Sequence, residues 1–146
     1  MAGEAPAATR RPLDGLAGHL VRRVQQRHTA LWAEVVSPVV TGPQYAVLAV
    51  LAEQPGSSQR ELGAALDLDA STIAGLVARL ESRGQISREP DEVDARKKTL
   101  RLTPAGETLR ASLAPRVDAL QDALTGALTP AEREQLRDLL HRILAD

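Results

Sequence analysis

The stretch SQRELGAALDLDASTIAGLVARLESRG, residues 58–84, predicts two short helices joined by a tight turn. Ser58 and Glu61 form a capping box, in which each side chain accepts a hydrogen bond from the other residue's amide, and it opens a helix over residues 59–66. Asp69 is a typical N-cap for a second helix over residues 70–82, and Gly84 is a typical residue to end it. This order of parts predicts a helix-turn-helix.

The second of these helices has two unlike faces. Apolar residues at helical spacing predict one buried stripe, made of Ile73, Leu76, Val77 and Leu80. The opposite face lacks the Glu and Lys of an ordinary solvated helix and consists of Ala70, Ser71, Thr72, Ala74, Gly75, Ala78 and Arg79. Because these side chains are small, and because Arg79 and Arg83 follow at the end, the face can approach another surface closely.

A two-stranded ribbon with a charged tip follows the second helix. Residues 85–89 and 99–102 alternate polar and apolar side chains, which predicts two strands. The segment between them is too polar to pack and ends in three cations, Arg96, Lys97 and Lys98. The fold class predicted is therefore mainly α with a small β-ribbon, a winged helix-turn-helix. Such a fold suits duplex DNA, with the second helix in the major groove and a wing arginine at the minor groove.

Composition limits the other functions. The 146 residues suit one domain or one compact subunit of a dimer. The chain has no Cys, its three His residues lack metal-ligand spacing, and no Gly-rich phosphate loop follows a strand. We therefore expect no enzyme activity, no cofactor and no metal. No apolar run reaches membrane-spanning length, and residues 1–11 lack the apolar centre of a signal peptide, so a cytoplasmic protein is expected.

Charge distribution matters more than the net charge, which is −1. Between residues 79 and 101 the cations outnumber the anions by two, and they concentrate at the wing and at the end of the second helix. Taken alone, such a cluster is typical of a solvated surface. Within a winged helix-turn-helix it favours DNA as the partner.

Long amphipathic helices flank the DNA-binding region, for which we take residues 41–103. One helix is predicted over residues 13–37 and ends at Ser37, because the residue before a proline avoids helix. A capping box opens a helix at residues 42–54, and another opens the last helix; they are Thr41 with Gln44 and Thr129 with Glu132. The helix that begins at Thr103 should be interrupted and kinked by Pro115.

A winged helix-turn-helix is complete without the flanking helices, so they need another role. Residues 13–37 and 104–146 are therefore predicted to form a helical dimerisation region, and the alternative is a helical cap on a single monomer. Residues 1–12, rich in Ala, Pro and Gly, are predicted to be a disordered arm.

Three segments resemble the MarR family of bacterial transcription regulators: LESRGQISR at residues 80–88, DARKK at 94–98 and LTPAG at 102–106. The family's wing motif, Asp-x-Arg-x-Lys, is matched by Asp94, Arg96 and Lys98, and the resemblance extends from about Leu16 to the C-terminus. It implies a homodimer that binds pseudo-palindromic operators and is released by a small ligand. The chain departs from the family at Gly75, where many relatives carry Arg or a polar residue.

Residues 19–32 resemble the first helix of MarR-type regulators that sense aromatic acids such as protocatechuate. By that resemblance Arg22 would bind a ligand carboxylate, and His28 would bond a ring hydroxyl or the carboxylate. The alternative is that both side chains make interhelical salt bridges or face water. Trp32 and Tyr45 are candidates for pocket walls, although each also suits core packing.

The leading hypothesis is a dimeric repressor released by a small anionic aromatic ligand. Ser71, Thr72 and Arg79 would contact bases or phosphates. Arg96 would enter the minor groove, oriented by Asp94, while Lys97 and Lys98 contact phosphates. The alternative function is a winged-helix module that binds another protein and takes no small-molecule ligand.

Overall fold

A computed structural model describes residues 12–145, and the first eleven residues of the predicted arm lie outside that range. The elements follow the chain as α1 (Ala17–Leu31), a π-helical segment (Trp32–Val36), α2 (Gly42–Glu53), α3 (Gln59–Leu66), α4 (Ala70–Ser82), β1 (Ile86–Pro90), β2 (Lys98–Leu102), α5 (Pro104–Thr125) and α6 (Pro130–Leu144). The strands form an antiparallel pair in which Ile86 lies opposite Leu102. The predicted fold class is confirmed.

Helix starts follow the capping residues. Two of the predicted capping boxes are complete, Thr41 with Gln44 and Thr129 with Glu132. At Ser58 the hydroxyl accepts from the amide of Glu61 at 3.1 Å, but the reciprocal bond from the Ser58 amide is not formed. Thr103 caps α5 by accepting from the amide of Gly106 at 3.1 Å. Local hydrogen-bonding chemistry therefore sets these boundaries, as predicted.

The first helix differs from the prediction at both ends. A turn occupies residues 12–15, so α1 begins at Ala17 rather than at Leu13. From Trp32 the backbone widens into a π-helical segment, in which the amide of Ser37 donates to the carbonyl of Trp32 at 3.0 Å. The segment stops where predicted, since Ser37 is extended before Pro38.

One core lies inside the winged helix-turn-helix. It joins α2, α3 and α4 to the ribbon through the buried residues Val47, Leu48, Leu51, Leu62, Ile73, Val77, Leu80, Ile86 and Leu100. Strand β2 is also fixed from its other side, because the amide of Leu100 donates to the carbonyl of Ser57 at 2.8 Å and its carbonyl accepts from Gly56. The ribbon is therefore anchored to the loop before α3.

A second core joins the π-helical segment to α5 through Trp32, Val36, Val40, Leu113 and Leu120. Helix α5 runs unbroken through Pro115, so the predicted interruption there is wrong. Leu113 and Leu120 are buried on either side of the proline, and this packing offsets the hydrogen bond that a proline cannot make. Arg116 strengthens the junction by donating to the carbonyl of Val36 at 3.2 Å.

The terminal helices leave their apolar faces uncovered. Neither α1 nor α6 contains a buried residue. Large apolar side chains are exposed near and within them: Leu13, Leu16, Leu20, Val21, Val24, Leu136, Leu139, Leu140, Ile143 and Leu144. None of the helices between residues 12 and 145 is both long and apolar enough to cross a lipid bilayer.

Candidate nucleic-acid interface and ligand pocket

The outer face of α4 is open to solvent. Asp69 caps this helix by accepting from the amide of Thr72 at 2.8 Å, and that bond lowers the pKa of the Asp69 carboxyl below its ordinary value of 3.8. Exposed residues on the face are those predicted, namely Ala70, Ser71, Thr72, Ala74, Gly75, Ala78 and Arg79. Over residues 70–79 the face offers hydroxyls and a guanidinium and has no acidic side chain, which suits the edges of base pairs. Glu81, near the end of the helix, is paired with Arg88.

Two arginines hold the end of α4 in place. Arg83, the C-cap residue of α4, donates to Gln44 Oε1 at 3.4 Å. Arg88 on β1 donates to Glu81 at 3.0 Å and to Gln59 at 3.2 Å, so it ties the ribbon to both α3 and α4. From the sequence, Arg83 and Arg88 were interpreted only as surface cations, and these hydrogen bonds were not predicted. Their partners lie up to 39 residues away, and no local pattern marks them.

The tip of the wing, residues 90–98, owes its shape to hydrogen bonds rather than to packing. The amide of Asp91 donates to the carbonyl of Lys97, and the amide of Lys97 donates to the carbonyl of Asp94, both at 2.9 Å. Asp91 also accepts from the amide of Asp94 through Oδ2 at 3.0 Å. A loop without a buried residue therefore has a defined conformation. Asp91 was missed from the sequence, although an Asp at the start of a turn commonly bonds a nearby amide.

Arg96 projects from this tip with 92% of its side chain exposed. Asp94 Oδ1 accepts from the amide of Arg96 at 3.1 Å and from its Nε at 3.2 Å. The predicted contact between Asp94 and Arg96 is therefore present. Within residues 12–145, the terminal nitrogens of Arg96 and the ammonium groups of Lys97 and Lys98 make no hydrogen bond or ion pair, so they are available to an anion.

A pocket of about 220 Å³ opens where the end of α1, the π-helical segment and the start of α2 meet. Its lining includes His28, Trp32, Thr41 and Gly42. The indole N–H of Trp32 donates to the carbonyl of Val40 at 2.7 Å, and the rings of His28 and Trp32 lie 6.0 Å apart between centroids. A flat ring could stack against this wall, with an imidazole at its edge.

The four residues predicted to bind a ligand are not gathered around this one pocket. His28 and Trp32 line it, whereas Tyr45 packs against Trp32 at 5.7 Å as part of the second core. Arg22 is exposed on α1 outside the lining, because it lies six positions before His28, which places the two about 120° apart on the helix. The single chain therefore supplies an aromatic wall and an imidazole but no guanidinium there.

Within residues 12–145, no group of three or more His, Asp or Glu side chains is placed to hold a metal ion. What the chain does present is a helix-turn-helix with an acid-free outer face, followed by a ribbon with a cationic tip. These features define a winged-helix protein of the kind that binds duplex DNA.

Comparison with known proteins gives the family. A sequence profile of the MarR family matches residues 40–97. Transcriptional regulator HosA of Escherichia coli is 35% identical over 126 residues, which cover 86% of this chain and 93% of HosA. The chain belongs to the MarR family, and like its relatives it is a DNA-binding transcription regulator and not an enzyme.

Two solved structures are similar over nearly the whole chain. PcaV of Streptomyces coelicolor, in complex with its natural ligand, superposes with a TM-score of 0.87 at 38% identity and covers 94% of this chain and 97% of PcaV. BpsR of Bordetella bronchiseptica, whose DNA binding is regulated by 6-hydroxynicotinic acid, superposes with a TM-score of 0.88 at 29% identity and covers 95% of this chain and 99% of BpsR. Ligand-responsive regulators thus share this fold.

Proposed function

We propose that the chain is a homodimeric repressor that binds a pseudo-palindromic operator and is released by a small aromatic acid. The observation that carries the proposal is the pairing of an exposed, acid-free α4 face with a wing whose Arg96 is held by Asp94 and points to solvent. Ser71, Thr72 and Arg79 contact bases or phosphates in the major groove.

The wing makes the second set of proposed contacts with DNA. Arg96 enters the minor groove, where the negative potential is strongest over narrow A·T stretches. Asp94 orients Arg96 through two hydrogen bonds, and Lys97 and Lys98 contact phosphates. An Arg96→Ala protein should therefore bind its operator more weakly by about 1–3 kcal/mol per half-site. Unchanged affinity in a fluorescence anisotropy titration, with Arg137→Ala on α6 as the control, would remove Arg96 from the interface.

The uncovered apolar faces support the proposed dimer. Helices α1 and α6 bury no residue within one chain, and MarR family members bind DNA as dimers. Residues 13–37 and 104–146 therefore form the dimerisation region, while residues 41–103 form the DNA-binding region around their own core. An isologous dimer would place the two α4 helices about 34 Å apart, one turn of DNA.

A charge placed in the apolar stripe of α6 tests the dimer. Leu140 is exposed in the single chain, so Leu140→Glu should leave the fold intact but separate the protomers. Sedimentation velocity should then show a monomer, while Asp138→Lys, on the opposite side of α6, should remain dimeric. A Leu140→Glu protein that stays dimeric would place the interface elsewhere.

The ligand site lies at the aromatic wall between α1 and α2. PcaV and BpsR, which share this fold, respond to ligands, and the BpsR ligand is an aromatic acid. In this chain Trp32 forms the wall with Tyr45 packed behind it, His28 bonds a ring hydroxyl or the carboxylate, and Arg22 binds the carboxylate. The Arg22 role is a separate part of the proposal, because Arg22 does not line the pocket of one chain.

Contacts that lead from this wall to α4 offer a route for release. The indole of Trp32 bonds Val40, just before the Thr41 cap of α2. Gln44, which completes that cap, is 2% exposed and accepts from both the Thr41 amide and Arg83 at the end of α4. A ligand that moved the start of α2 would therefore also move α4. Release from DNA requires such a coupling between the ligand site and the DNA-binding helix.

Trp32 reports on the ligand directly because it is the chain's one tryptophan. Titration with 3,4-dihydroxybenzoate or 4-hydroxybenzoate should quench its fluorescence, and the same compounds should lower operator affinity. Arg22→Ala should weaken the quenching titration at least tenfold, since the carboxylate would lose a charge-assisted pair. Normal binding by Arg22→Ala would refute the carboxylate contact without affecting the DNA-binding assignment.

A further inference from the structure

Gly75 occupies an exposed position in the middle of α4, where glycine is an unfavourable residue. Among residues other than proline, glycine stabilises a helix interior least and alanine most. Positive φ does not explain the choice, because the glycines with positive φ are Gly56 and Gly84. The helix backbone itself therefore gives no reason for the missing side chain.

Packing within the chain gives no reason either. A Cβ added at Gly75 would meet no atom within 4 Å. Two other helical glycines are explained by close neighbours: a Cβ at Gly63 would lie 3.2 Å from the Leu68 carbonyl oxygen, and one at Gly106 would collide with the Gln85 carbonyl. Gly18 in α1 has equally open surroundings, and helical spacing places it away from the exposed Leu20 and Val24. Gly75 is therefore open on the same exposed face of α4 as Ser71 and Arg79, the face proposed to meet DNA.

The missing side chain leaves a shallow recess on the outer face of α4. It has a volume of about 220 Å³, and its walls are Ser71, Thr72, Leu76 and Arg79 around Gly75. Apolar surface dominates these walls, although the face also carries hydroxyls and a guanidinium. A recess of this kind fits a small apolar group that projects from a partner, next to groups that Ser71 or Arg79 can bond.

We infer that the recess accepts the C5 methyl group of a thymine in the major groove, which makes Gly75 a residue that determines operator specificity. The methyl group is the apolar feature that a base pair presents in that groove, and it distinguishes thymine from the other bases. A side chain at position 75 would fill the recess and hold the helix away from the base. The inference rests on the proposed contact between the α4 face and the major groove.

Deoxyuridine tests the recess, because it removes the methyl group and leaves the hydrogen-bonding edge of thymine unchanged. Duplexes are first selected by the full-length protein from a random library, and each thymine is then replaced singly by deoxyuridine. In each half-site, single replacement of one particular thymine should weaken binding about fourfold, the value of one buried methyl group. Replacement of the other thymines in the same duplex is the control and should have little effect.

The Gly75→Ala protein completes the test. It should bind the selected duplex more weakly than the wild type, and it should no longer distinguish thymine from deoxyuridine at the sensitive position. Its thermal midpoint should nevertheless rise by about 2–4 °C, because alanine favours the helix and meets no neighbour. Weaker binding by a more stable protein separates a lost contact from a damaged fold.

Three results would contradict the inference, and they differ in whether the proposed function also fails. If the wild type selects duplexes but no thymine replacement weakens binding, or if Gly75→Ala keeps the distinction, the recess does not hold a methyl group and DNA binding stands. If the wild type selects no duplex at all, the proposed function fails together with the recess.

Discussion

Removal of the two wing lysines should change how operator binding depends on salt. Lys97 and Lys98 are exposed, and within residues 12–145 they have no ion-pair partner, so substitution by alanine disturbs no contact in the chain. Each lysine that neutralises a phosphate releases condensed counterions, and the loss of that release appears in the salt slope. The double variant Lys97→Ala/Lys98→Ala therefore tests whether the wing lies against the DNA backbone.

The size of the effect follows from the number of contacts. If Arg79, Arg96, Lys97 and Lys98 of two protomers together neutralise about eight phosphate charges, from the grooves or from the backbone, the slope of log affinity against log salt is about −7. Affinity then falls roughly 20,000-fold between about 50 and 200 mM salt. Without the lysines the slope is about −3.6, and the same change of salt lowers affinity only about 150-fold.

Fluorescence anisotropy with one selected duplex at several salt concentrations measures both slopes. The control is Arg137→Ala/Arg142→Ala, which removes the same charge from α6, far in the sequence from the wing. The control should keep the wild-type slope. An equal slope for the lysine variant and the wild type would refute the reasoning, because the wing would then lie away from the phosphates.

Two further predictions concern stability. Gly106→Ala should destabilise the chain by about 3 kcal/mol in urea unfolding, because the new Cβ would collide with the Gln85 backbone, and an unchanged midpoint would contradict that packing. The folded pKa of Asp69 is lowered, so its contribution is present above the unfolded value of 3.8 and is lost as pH falls through the folded pKa. The thermal midpoints of wild type and Asp69→Asn should therefore differ at neutral pH and converge in strong acid, whereas a difference that is constant with pH would argue against the charged cap.

The winged helix-turn-helix was predictable because its signals are local. The boundaries of α3 and α4 follow from Ser58 and Asp69, whose caps act within three residues. Helical spacing predicted the burial of Ile73, Val77 and Leu80 on α4 correctly, whereas Leu76 is only half-buried and also lines the outer recess. The polar tip between the strands could form only a loop. For the same reason the contact of Asp94 with Arg96, two residues apart, could be predicted without the structure.

The departures arise where distant packing overrides local preference. The π-helical segment at Trp32 is held by Arg116, which lies 80 residues from the carbonyl that it bonds, and no spacing in the first helix predicts that contact. Pro115 predicts an interruption and a kink, because it lacks the amide and clashes with the preceding turn. Helix α5 continues because Leu113 and Leu120 are buried in the second core on either side of it.

In the candidate ligand site, too, local contacts were predictable and distant ones were not. His28 and Trp32 lie one turn apart, so their shared wall follows from helical geometry. The position of Arg22 depends on what covers the exposed face of α1, and the single chain does not cover it. Gln44 could be predicted as a capping residue, but its second bond, to Arg83, required the packing of α2 against α4.

The stoichiometry of the complex with DNA tests the central claim most directly. Analytical ultracentrifugation of the full-length chain with one selected duplex measures how many protomers each duplex binds. A twofold pair of winged helices predicts two protomers per duplex, with no stable complex of one. A single protomer bound at saturation, or a protein that remains monomeric at high concentration, would contradict the account.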